Sequence, residues 1–132
     1  MNVFVLDIHR YNSNHFYFLE HTPNIIIDGS FTKVIYTGED FTMNGIYVYI
    51  PLENSALESN INLIEKLEIQ LLTQYGKHTN RHKTQTLGLI TQILYKTNRL
   101  YLKKMLLNIS GVWENETHVG LTYKWTEGLI YD

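Results

Sequence analysis

The feature that most constrains this chain is a single change of hydrophobic period. From Ser55 the apolar spacing lengthens from two residues to about 3.6, and Leu57, Ile61, Ile64, Leu67 or Glu68, Leu71 and Tyr75 trace one stripe. Ser55 with Glu58 has capping-box spacing, and Gly76 stands where a glycine just past a helix belongs, so the pattern predicts one well-capped helix over 55–75. The segments on either side alternate with period two or are short and turn-bounded. A lone amphipathic helix among strands buries its stripe by plugging a curved antiparallel sheet, so the expected class is α+β, mostly β.

The strand signals support this class. Asn2–Tyr11 alternates, with Phe4, Leu6 and Ile8 on one side. Phe16–Leu19 reads as a short strand broken at Pro23, and Asp28-Gly29 as a turn. Phe31–Thr37 is a further strand. In Gly45–Pro51, Ile46, Val48 and Ile50 form a buried face and leave Tyr47 and Tyr49 side by side on the other. After the helix, residues 77–86 are polar and basic and read as an exposed loop, and Leu87–Leu94 suits a short helix weakened by Gly88. A strand near Arg99–Leu102 and a turn at Lys103-Lys104 lead to a hairpin, 99–113 and 118–126 around the polar tip 114–117. In its returning run Val119, Leu121, Tyr123 and Trp125 share one face, while His118, Thr122 and Lys124 share the other.

This order of elements resembles the oligonucleotide-binding (OB) fold, a five-stranded antiparallel barrel with its helix between the third and fourth strands. The resemblance places the strands at 2–11, 31–37, 45–50, 99–113 and 118–126, with helix 55–75 in the expected slot. It rests on element order; the pieces at 16–27 and the insert 77–98 depart from it. It implies that the second and third strands form a binding surface that carries Tyr47 and Tyr49.

Bulk properties narrow the classes. The chain of 132 residues fits one domain, 1–132, and 44% apolar against 18% charged residues describes a folding sequence. Without cysteine there is neither a disulfide framework nor a thiolate zinc site. The N-terminus lacks a basic signal-peptide region and no apolar run is long enough for a membrane span, so the expectation is an intracellular protein, not secreted and without membrane partners. The two glycosylation-type triplets at Asn108 and Asn115 then count as chance matches. The Asn-, Ile- and Tyr-rich composition resembles that of A+T-rich viral or phage gene products.

The net charge of −2 conceals a segregation. Residues 69–113 hold no acid and seven bases: Lys77, Arg81, Lys83, Lys96, Arg99, Lys103 and Lys104. A long acid-free basic block is a candidate polyanion footprint, weighed evenly against a solvated basic loop. Single-strand binding combines such cations with aromatic faces on which bases stack. The expected nucleic-acid-binding residues are Lys33, Tyr36, Tyr47, Tyr49, Lys77, Arg81, Lys83, Arg99, Lys103, Lys104, Trp113 and Lys124. For Trp113 and Trp125 core anchoring is the stronger expectation; for the tyrosine pair, stacking and a second apolar layer weigh equally.

The function expected is therefore a non-catalytic module for single-stranded DNA or RNA, DNA ahead of RNA, with no cofactor and no metal. His78 and His82 are four apart but lie in a polar stretch without a neighbouring acid. The pairs Glu39-Asp40 and Glu114/Glu116 read as solvated turn acids. The alternative is an interaction module that forms a homo-oligomer through its tyrosine face and a sheet edge. A small nuclease using Asp7, Asp28 and Glu114 ranks third, because no catalytic motif is present.

Overall fold

The computed structural model describes residues 6–8, 10–24, 29–37, 42–51, 57–89 and 104–127. In chain order they form β1 (Leu6–Asp7), β2 (Phe16–Asn24), β3 (Gly29–Thr37), β4 (Thr42–Asn44), β5 (Ile46–Pro51), α1 (Leu57–Thr79), β6 (Thr84–Thr86), β7 (Lys104–Glu114) and β8 (His118–Glu127). The architecture is α+β, mostly β, with one helix against one mixed sheet.

β7 is the spine of the sheet. One edge pairs antiparallel with β8, while the other carries β5 along Lys104–Ile109 and β3 along Gly111–Glu114. The partner changes at Ser110, where β7 is also bulged: Ile109 faces Tyr123, Gly111 faces Thr122, and Ser110 has no opposite residue in β8. The Ser110 hydroxyl donates to the Thr122 carbonyl at 3.2 Å, which fastens the bulge. The chain makes the matching step at Gly45, between β4 on β3 and β5 on β7. There φ is +93°, a region glycine enters without strain, and the Gly45 N–H still donates to the Val34 carbonyl at 3.1 Å.

A bulge reverses the inward parity of a strand. Before Ser110, Leu107 and Ile109 are buried; after it, Val112 and Glu114 are buried and Trp113 turns to the opposite face. On the inner face Val34, Ile46, Val48, Ile50, Val119, Leu121 and Trp125 join the buried helix residues Ile64, Leu67, Leu71, Leu72 and Tyr75 in one core. Fully burying each such side chain stabilises by roughly 1.5–3 kcal/mol.

The helix runs to Thr79, a turn beyond the expected 75, and takes in Gly76, Lys77 and His78. Asn80, at φ 55°, is the left-handed residue that ends it, and the Arg81 N–H returns to the Gly76 carbonyl at 3.2 Å. This Schellman-type closure is available because asparagine tolerates the conformation that glycine was expected to supply. The expected loop after the helix also yields β6, which pairs parallel with β8.

Several expected details differ. The helix follows β5, not a third strand, and two parallel pairings, β1 with β5 and β6 with β8, make the sheet mixed instead of antiparallel. Among the described residues the sheet does not close: β1 and β2 end the path and are not paired with each other. The barrel of the OB resemblance is therefore not what these strands build. β2 extends through Pro23 to Asn24, because on an edge strand the missing N–H is not needed by a neighbour. Lys104 opens β7 instead of forming a turn. Ile25–Ile27, Asp28, Glu39-Asp40 and the predicted strand 99–102 lie outside the described residues, and most of the predicted helix 87–94 does too.

Candidate functional site

Two arrangements of polar and aromatic side chains stand out. The first is the outer face of the sheet, opposite the helix. Cross-strand register sets it out in rows: Phe31–Trp113–Gly120, Lys33–Gly111–Thr122, Tyr47–Asn108–Lys124 and Tyr49–Leu106–Thr126. Lys33 and Lys124 are exposed; Phe31, Tyr47, Tyr49 and Trp113 are half-buried.

The rings of the first row lie down on glycines. A Cβ built on Gly120 would stand 2.5 Å from Cζ2 and 2.7 Å from Nε1 of Trp113, and one on Gly111 would stand 2.7 Å from Cζ of Phe31. The indole and the phenyl ring thus occupy the space that side chains at 120 and 111 would fill. Packing against strand backbone this way fixes an aromatic ring at low conformational cost.

The second arrangement is a buried ion-pair cluster where the helix C-terminus meets the hairpin. Glu114 is 3% exposed, yet both its oxygens are saturated. Arg81 grips it with two bonds, Nε to Oε2 and Nη2 to Oε1, each 2.7 Å. Lys83 Nζ lies 2.9 Å from Oε2, and the Tyr75 hydroxyl donates to Oε1 at 2.7 Å. Tyr75 also shares a 3.2 Å hydrogen bond with the Thr32 hydroxyl. Hydrogen bonding from Arg81, reinforced by Lys83 and Tyr75, holds the Glu114 carboxyl down at about 2 against the cost of its burial. The same pairing pushes the Arg81 guanidinium up, and burial pushes the Tyr75 phenol up. Beside the cluster, Ser30, Arg81, Lys83, Glu114 and the tip residues Asn115 and Glu116 line a cavity of about 280 Å³.

The twelve expected binding residues divide accordingly. Lys33, Tyr47, Tyr49, Trp113 and Lys124 come together on the outer face. Tyr36 is on the inner face, 6% exposed, with its ring edge-on to Phe16 and its hydroxyl accepting the Asn12 N–H at 3.1 Å. It shares parity with Thr32 and Val34, so it and Lys33 could not both face outward. Arg81 and Lys83 sit on Glu114 instead of in an open loop, and Lys77 is exposed in the last turn of α1. Lys104 is placed by its backbone at the start of β7, opposite Pro51. Arg99 and Lys103 lie outside the described residues.

Glu114, expected as a solvated tip acid, is instead the centre of the cluster. Trp113 is not the core anchor that Trp125 is. Phe31, Gly111 and Gly120 were not anticipated as site residues; their signal is cross-strand register, which one sequence does not display. His78 lies in the helix beside Phe18, with ring centroids 5.6 Å apart, and the exposed His82 follows the helix end. Among the described residues no three histidine or acidic side chains converge on a point that could hold a metal. No described helix is long and apolar enough to cross a membrane. The chain matches no protein-family model, no curated protein and no solved structure.

Proposed function

We propose that the outer sheet face binds single-stranded nucleic acid by stacking bases on its aromatic rows. The observation that carries this reading is the Trp113 ring laid on Gly120, with Lys33 in the adjoining row. Strand rows repeat about every 7 Å, two residues of rise, so successive aromatic rows suit successive bases of an extended strand. Stacking is tolerant of base identity, and each stacked base contributes about 1–3 kcal/mol. Lys33 and Lys124 meet phosphates from within this face, and the reading requires no closed barrel.

The test is fluorescence anisotropy of internally labelled oligo-dT and oligo-U across a salt series. Trp113→Ala is expected to weaken binding about tenfold or more, with Tyr47→Ala/Tyr49→Ala acting in the same direction. The Lys33→Ala/Lys124→Ala double variant removes two phosphate contacts and is expected to flatten the log K against log salt slope by about 1.4. Unchanged affinity in the Trp113 variant, or no binding at low salt, removes the reading. The homo-oligomer reading keeps one support: Tyr17 and Leu19 are 50% and 43% exposed on edge strand β2. A molar mass above that of the monomer in light scattering, lost on Tyr17→Lys, would favour it.

A further inference from the structure

We infer that the cavity beside Arg81 and Lys83 takes the terminal phosphate monoester of the strand lying on the outer face. This rests on the nucleic-acid reading and adds to it an end-specific anion site. Two full cations surround the Glu114 carboxylate at the wall of a cavity of about 280 Å³, and Glu116 is the second acid of its lining.

The donors are not used up. Arg81 engages Glu114 along its Nε/Nη2 edge, and among the described residues nothing accepts from Nη1. Its side chain remains 40% exposed. Lys83 Nζ meets Glu114 and the Asn115 carbonyl, two acceptors for three N–H groups, and its side chain is 21% exposed. The Ser30 hydroxyl is 3.5 Å from Glu114 Oε1, too long to bind it firmly. These groups border the same cavity. A planar guanidinium edge, an ammonium and a hydroxyl form a donor set for a tetrahedral oxyanion.

Position links this cavity to the rings. Ser30 pairs with Glu114 and Phe31 with Trp113, so the cavity begins one residue along both strands from the outer row but on the opposite face, round the end of the sheet. A strand whose last base stacks on Trp113 carries its end round the hairpin tip toward Lys83. One group at the rim opposes an anion: Glu116, exposed. Its charge gives the proposal a signed test.

The experiment compares one internally labelled oligo-dT carrying a 5′-phosphate, a 3′-phosphate or hydroxyls at both ends. One phosphorylated end is expected to bind at least fivefold tighter than the hydroxyl form. That advantage should vanish in Lys83→Met and grow in Glu116→Gln, with affinity for the hydroxyl form unchanged in Glu116→Gln. The gain in Glu116→Gln cannot come from a damaged fold, so it stands even if Lys83→Met proves unstable. Equal affinity for all three ends overturns the end site and leaves the stacking face intact. Absence of binding to any oligonucleotide overturns both. Inorganic phosphate that erases the advantage at micromolar concentration assigns the cavity to free phosphate and overturns the strand-end assignment.

Discussion

Glu114 and Glu68 are both glutamates withdrawn from solvent, 3% and 1% exposed, yet their ionisation is driven in opposite directions. Glu114 meets a guanidinium, an ammonium and a phenol, and its carboxyl is held down at about 2. Among the described residues Glu68, in the middle of α1, accepts from the backbone N–H groups of Gly88 at 3.1 Å and Leu89 at 3.3 Å and from no cation. Burial pushes its carboxyl up; those two bonds oppose the rise, and the nearby charge of Glu65 adds to it. Burial pushes both carboxyls up, and the direction that results depends on whether full charges or backbone dipoles face the acid. The difference also separates roles. Glu114 ties hairpin, helix end and β3 together through side chains from four segments, while Glu68 secures a single chain turn after β6.

The sharpest way to break the comparison is to take the guanidinium away from Glu114. Arg81→Met leaves a buried carboxylate with one cation and is expected to cost about 3–5 kcal/mol in urea unfolding at pH 7. A loss below about 1 kcal/mol would place the cluster among ordinary surface ion pairs. A smaller effect is expected from acid alone. The folded-state value of about 2 lies below the ordinary 4.5, so the contribution of Glu114 is complete above pH 4.5 and is lost as pH falls through 2. Urea midpoints between pH 5 and 2 should therefore drop by the equivalent of roughly 2–3 kcal/mol, with a shallower decline in Arg81→Met. Parallel acid limbs in the two proteins would show that Glu114 is not the group responsible.

The same contrast explains what could be read from the sequence. The helix stripe and the hairpin follow from periodicity and are present, and Tyr47 and Tyr49 stand half-buried across the sheet from Ile46, Val48 and Ile50. Trp113 is expected in the core because tryptophan usually anchors one, and Glu114 reads as a solvated acid of the polar tip; plain alternation from Leu107 and Ile109 gives the same placement. The bulge at Ser110 shifts the count by one and exchanges them. Nothing local marks it, since it forms where β7 changes partners from β5 to β3, a long-range event. Arg81 and Lys83 looked like free cations because their carboxylate lies more than thirty positions away in sequence. The rings on Gly111 and Gly120 were hidden for the same reason: a glycine in a strand signals close approach, but not by what.

The finest test of the comparison removes only the charge from Glu68. In Glu68→Gln the side-chain oxygen still accepts from Gly88 and Leu89, so the chain turn keeps its anchor. What disappears is the cost of holding a carboxylate there. A carboxyl pushed above its ordinary 4.5 favours the folded state fully while protonated, and that advantage is lost as pH rises through the raised value. The wild-type protein should therefore lose stability relative to Glu68→Gln as pH rises above 4.5, with the two within about 1 kcal/mol at pH 7 because the new amide N–H₂ must also be satisfied. Tyr123 faces this carboxylate, and its phenol is pushed up by burial and by the Glu68 charge. The amide should therefore bring the tyrosine's ionisation back toward its ordinary range in an ultraviolet titration. A destabilisation of 2 kcal/mol or more at pH 7 would show that the Glu68 charge stabilises the fold after all and that the two glutamates differ in degree alone.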